Sequence, residues 1–143
     1  MTLDYDALLN HEFEELVHTY STSNSALYAL GVGLGHDPVD EAQLRYVYEK
    51  DMLALPTMAT VLGAYGFWLK EPWTGVDWVQ VLHGEQGLRL HRTLPAEGRI
   101  RSRMKVTEII DKGPDKGAFI YYDREITDDK TGDLLCTLTS TTI

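Results

Sequence analysis

Thr57-Met58-Ala59-Thr60-Val61-Leu62-Gly63-Ala64-Tyr65-Gly66-Phe67-Trp68-Leu69 is a run without a single charge. Pro56 stands before it, and proline suits a first helical position, where its missing N–H would be unpaired anyway. Met58, Val61, Leu62, Tyr65 and Leu69 then fall on one broad helical face. A helix apolar all round belongs in an interior, so the run predicts a buried central helix over Thr57–Leu69. Its small residues Ala59, Gly63, Ala64 and Gly66 would let strands approach closely. A charge placed at Val61 is accordingly expected to be costly.

Outward from this run the pattern changes. Upstream, the Ser21–Ser25 cluster supplies helix N-caps, and Leu27, Leu30 and Leu34 recur at helical spacing until Gly31, Gly33 and Gly35 end the segment. Residues 1–20 read as a soft acidic lead-in, an N-terminal arm to a single domain at 21–143. Downstream, after Glu71–Gly75, the period becomes two. One strand is expected over 78–90, with a bulge or a ligand-close backbone at Gly84 or Gly87. A second follows the Pro95–Gly98 turn, with Ile100, Met104, Val106 and Ile110 inward. A loop at Lys112–Gly117, a strand at Phe119–Thr127, a turn at Asp128–Gly132 and a strand at Leu134–Ile143 complete the chain. Helices followed by four such strands predict an α+β fold. A long antiparallel curved sheet wrapped around a central apolar helix is the hot-dog fold.

Composition excludes several functions. The 143 residues hold 22 acids against 13 bases, a net charge of −9. Ten of the bases lie in residues 89–130, yet an acidic domain without aromatic interleaving is a poor nucleic-acid binder. No apolar run approaches the roughly 20 residues of a membrane span. The first 20 residues contain no Lys or Arg, unlike a secretory signal. The single Cys136, between Leu134 and Leu138, reads as a buried small hydrophobe in a reducing, cytoplasmic protein. His11, His18, His36, His83 and His91 form no close ligand pair, and no metal or resident cofactor is expected. The stripe Arg99, Arg101, Arg103 and Lys105 reads as a solvated strand face, neutralised by Asp123 and Glu125 on the following strand. His83, with Gly84, Glu85 and Gln86 after it, reads on residue chemistry as a hydrogen-bonded sheet histidine.

Seven segments in order change that last reading: Ala26–Gly33 (ALYALGVG), Leu44–Glu49 (LRYVYE), Leu55-Pro56-Thr57, Leu82–Gln86 (LHGEQ), Leu94-Pro95, Asp111-Lys112-Gly113 and Thr131–Leu134 (TGDL). Together they resemble the N-terminal half of the R-specific enoyl-CoA hydratases, the hydratase 2 or MaoC-like dehydratases, over roughly residues 20–143. The resemblance implies two hot-dog halves in tandem, this being the first. In the family an Asp-x-Asn-x-x-His motif of the second half adds water to a trans-2-enoyl-CoA, while the first half accommodates the acyl chain and helps to hold CoA. It assigns acyl-CoA contacts to His83, Gly84 and Lys112, with the coenzyme A thioester as substrate rather than cofactor.

The motif itself is absent: the only asparagines are Asn10 and Asn24, and neither sits in it. No catalytic residue is therefore assigned, and the chain alone is expected to be inactive. It reads as a fragment or a separate subunit, working with a catalytic hot-dog half or pairing as a homodimer, away from nucleic acid and membrane. Two alternatives stand beside this reading. One is a hot-dog acyl-CoA thioesterase using Glu85, since the run Thr57–Leu69 has no acid. The other is a purely structural hot-dog subunit.

Overall fold

The structure, a computed structural model, describes residues 3–113 and 116–143. Asp4 caps α1 (Tyr5–Leu9) by accepting the Ala7 N–H at 3.0 Å, and Leu8 of that short helix is completely buried. β1 (Leu16–Tyr20) follows, then α2 (Thr22–Gly31) and the single turn α3 (Glu41–Leu44). β2 (His83–Leu90), β3 (Gly98–Asp111), β4 (Ala118–Asp128) and β5 (Leu134–Thr142) complete one antiparallel sheet in the order β1-β3-β4-β5-β2. Among the described residues no helix is long and apolar enough to cross a membrane.

The strands at 99–110, 119–127 and 134–143 lie where alternation puts them. The first 20 residues do more than lead in, because Leu16–Tyr20 pairs with Arg99–Ser102 and Gly98 as an edge strand. Its inward positions are few, so the pattern is faint in sequence. Residues 78–82 are not strand: Trp78–Gln80 is a 3₁₀ turn, and β2 begins only at His83. In β3 a bulge between Val106 and Glu108 reverses parity, so Ile109 is buried where Ile110 was expected. The basic stripe does face outward. Arg103 and Lys105 sit opposite Glu125 and Asp123 in register, but the ion pairs are made elsewhere. Glu15 bridges Arg101 and Arg103, and Asp129 bridges Arg99 and Arg101. These two carboxylates flank the stripe, and each reaches two guanidinium groups.

The central segment is the main departure. In place of a helix over Thr57–Leu69 there is a 3₁₀ turn at Pro56–Thr60, left-handed backbone at Gly63 (φ +56°) and Gly66 (φ +64°), and a second 3₁₀ turn at Trp68–Lys70. Met58, Ala59, Leu62, Trp68 and Leu69 are buried against the concave face of the sheet, but Val61 is 52% exposed. The run is interior without being helical. Gly63 shows why: a Cβ there would lie 2.6 Å from the Ser102 Cβ, closer than any side chain tolerates.

Two apolar clusters fill the concave side. One joins Met58 and Leu62 to Tyr20, Ile100, Ile126, Cys136 and Leu138. The other joins Trp68 and Leu69 to Leu8, Met104, Val106, Ile109 and Ile120. Between them on β3 sits Ser102, and on β4 Arg124. Cys136 is wholly buried, and burial pushes its thiol up to about 11.

Candidate functional site

Antiparallel register carries His83 and Lys112 to the same end of the sheet. His83 pairs with Thr142, Thr142 with Ile120, and Ile120 with Ile109, three residues before Lys112. Two strands separate β2 from β3, so the two residues are offset by about 14 Å across the sheet and, from Ile109 to Lys112, by about 10 Å along it. They share a rim without touching. The bulge expected near Gly84 is present, between His83 and Glu85. A side chain at Gly84 would meet the Thr141 carbonyl at 3.1 Å and Ile143 at 3.3 Å, so the backbone there lies close against β5. His83 itself is exposed.

Lys112 lies in the loop after β3. Its N–H donates to the Gly117 carbonyl at 2.9 Å, and its ammonium stands 5.2 Å from the centre of the Phe119 ring. Pro114 and Asp115, within the expected loop, lie outside the described residues. On the same rim a cleft of about 380 Å³ opens between the 75–82 segment and the ends of β4 and β5. Leu82, Ile120 and Ile143 form its apolar wall, and the lysine lining it is Lys116 rather than Lys112. Glu85 takes a hydrogen bond from the Thr141 hydroxyl at 3.4 Å, and among the described residues none joins it to His83.

A second, more apolar groove of about 310 Å³ lies between α2 and the turn at residues 58–62. Leu27 and Tyr28 of α2 form one wall and Met58, Val61 and Leu62 the other, with His18 on β1 at its side. α2 is capped as the serine cluster suggests: Ser21 and Asn24 form a reciprocal capping box. That helix turns its small residues inward, burying Ser25 and Ala29, and leaves Leu27 69% exposed with Leu30 and Val32 beside it. Ser25 fixes this rotation by donating its hydroxyl to the Ala96 carbonyl at 2.5 Å.

Three polar residues that the sequence reading left unused support this groove. His18 Nδ1 accepts the Gly63 N–H at 2.9 Å. Arg124, buried between the two clusters, donates from Nη2 to the Thr60 carbonyl at 2.7 Å and from Nη1 to the Leu62 carbonyl. Burial holds its guanidinium below the usual arginine range. Ser102 Oγ is buried with no hydrogen-bond partner among the described residues. Strand parity could have found two of them, because Ser102 falls between inward Ile100 and Met104, and Arg124 two residues before inward Ile126.

Comparison with known proteins fits this architecture. Residues 18–143 match the family model of the MFE-2 hydratase 2 N-terminal domain. The chain is 33% identical over 138 residues to the peroxisomal enoyl-CoA hydratase 2 of Arabidopsis thaliana, covering 92% of this chain and 44% of that protein. It superposes on the MaoC-like dehydratase of Phytophthora capsici with a TM-score of 0.75 at 24% identity, over 98% of this chain and 48% of that one. It also superposes on a chain of the HadBC (3R-hydroxyacyl-ACP dehydratase) complex of Mycobacterium tuberculosis, with a TM-score of 0.59 at 16% identity over 94% and 98% of the two chains. The chain thus has the hot-dog fold and spans under half the length of the first two of these proteins.

Proposed function

The chain belongs to the family of MFE-2 hydratase 2 N-terminal domains, and from that premise we propose that it is the acyl-CoA-binding half of an (R)-specific 2-enoyl-CoA hydratase. On this reading the Asp/His hydration site lies in a partner hot-dog half, and this chain supplies surface for the acyl chain and for CoA. The observation that carries it is the open apolar groove beside Val61 and Leu62, where a turn stands in place of a helix. An apolar groove with few polar groups suits an acyl chain.

Other features agree. β2 is an edge strand with exposed residues along most of its length, open to pairing with a second sheet. Trp78, Val79 and Leu82 are exposed beside it, an apolar surface of the kind that associates. Hot-dog chains are known in heteromeric complexes, HadBC among them. The rim bearing His83, Gly84 and Lys112 would hold the CoA portion, with Lys112 giving a point charge to its phosphates. The thioesterase reading finds less support in the geometry, since Glu85 is not among the residues lining the groove.

Crotonyl-CoA hydration by the pure 143-residue chain tests the division of labour. Water addition needs a base and an acid within hydrogen-bond reach of one substrate pose. We expect background turnover from the chain alone and restored turnover on adding a catalytic hot-dog half. Steady turnover abolished by His83→Ala or Glu85→Ala would place the reaction in this chain and end the proposal.

A further inference from the structure

A continuous helix through Thr57–Leu69 would give the carbonyls of Thr60 and Leu62 to N–H groups four residues on. The left-handed turn at Gly63 removes those partners. A buried carbonyl left unpaired is destabilising, and Arg124 takes both the buried Leu62 carbonyl and the partly buried one of Thr60. Its planar fork of donors suits two acceptors held at fixed spacing, which a lysine ammonium would serve one at a time. Arg124 is 9% exposed and joins none of the ion pairs among the described residues. A buried cation satisfied by carbonyls alone is a costly arrangement to maintain, so its geometry calls for a reason.

That reason is visible in the register. Leu16 pairs with Ser102, two residues from His18, and Met104 pairs with Arg124, two residues from Ser102. His18, Ser102 and Arg124 thus step diagonally across the concave face, one from each of three adjacent strands. Each serves the same turn. His18 receives the Gly63 N–H, Ser102 leaves room only for a glycine at position 63, and Arg124 holds the carbonyls on either side of Val61.

We propose that Arg124 is a positioning residue: with His18 and Ser102 it holds residues 56–63 as a turn, which keeps the groove open and so sets the length of acyl chain accepted. This rests on the reading of the groove as an acyl site. Without the clamp, Val61 and Leu62 are free to swing toward Leu27 and Tyr28 and close the space between them. A short acyl group does not reach into the groove and is indifferent to that change. Each further methylene it buries is worth about fourfold in affinity, so a long chain loses most.

The test is calorimetric titration of the 143-residue chain with decanoyl-CoA and with butanoyl-CoA, together with amide hydrogen exchange at Gly63. Arg124→Met should speed Gly63 exchange, weaken decanoyl-CoA about tenfold and leave butanoyl-CoA within about twofold; Arg124→Lys should fall between. Equal losses for both thioesters, or unchanged exchange at Gly63, would overturn the assignment. If Arg124→Met does not fold, Arg124→Lys alone decides by the same two readouts. If the unaltered chain binds neither thioester while Arg124→Met still speeds exchange, the clamp stands. The acyl-site reading and the length-setting role fall together in that case.

Discussion

Adding one methyl group at Gly63 should test the central turn more sharply than any larger change. Gly63 and Gly66 share a left-handed backbone, with φ of +56° and +64°. Alanine at either pays the same conformational penalty, about 1–2 kcal/mol. Their surroundings differ. Nothing lies within 4 Å of a Cβ at Gly66, whereas one at Gly63 meets Ser102 Cβ at 2.6 Å and Ile100 Cδ1 at 3.1 Å. Overpacking of this kind adds about 1–3 kcal/mol, so Gly63→Ala should cost about 2–5 kcal/mol in all. That corresponds to a fall in Tm of about 6–15 °C for a chain of this size. Urea denaturation followed by tryptophan fluorescence gives the first value, and a thermal scan at the same protein concentration gives the second. Ser102→Gly removes the Cβ that is struck, so the double variant should recover about 1–3 kcal/mol relative to additivity. Equal costs at positions 63 and 66, or a cycle with no coupling to Ser102, would refute the close approach and the account of the turn built on it.

Other expectations follow from the same packing. Val61→Asp should change stability by under about 0.5 kcal/mol, because Val61 is half exposed, while Leu62→Asp at 1% exposure should be severely destabilising in the same urea assay. Burial raises the Cys136 thiol from its ordinary 9.0 to about 11, so the folded state keeps a proton that the unfolded state loses; stability should be fully present below pH 9 and decline between pH 9 and 11, less so in Cys136→Ala. Glu15 has the opposite sign: Arg103 and Arg101 hold its carboxyl below 4.5, so its contribution is present above that pH and lost as acid is added, and Glu15→Gln should remove that dependence from the melting profile. At high salt the difference between Glu15→Gln and the unaltered chain should shrink.

Much of the scaffold is legible in the residues, and the exceptions share a cause. β3, β4 and β5 alternate cleanly because one face of each is buried, and the α2 start is marked by its own capping serine. β1 hides because five residues with few inward positions leave little pattern. The run Thr57–Leu69 shows that absence of charge reports burial and not backbone shape. What breaks the helix is left-handed backbone at Gly63 and Gly66, and at Gly63 the distant Ser102 leaves no room for a side chain. The site divides similarly. His83-Gly84 and Lys112 belong to short motifs that sit on the sheet rim. Arg124 carries no motif, and a charged residue at an inward strand position was the sole sign of it. The lysine that lines the rim cleft is Lys116, which no motif marks, rather than Lys112.

The polar diagonal from His18 through Ser102 to Arg124 also works as a watershed. On one side lie Tyr20, Met58, Ile100, Ile126 and Cys136; on the other Leu8, Trp68, Met104, Ile109 and Ile120. Side chains that share no neighbours perturb one another little, so each basin can drift in composition on its own. Substitutions in the Trp68 basin, which anchors the N-terminal helix, cost stability without redrawing the wall of the groove. Those in the Met58 basin reshape it directly. A change on one side of this line, three residues wide, therefore leaves the packing on the other side largely as it was.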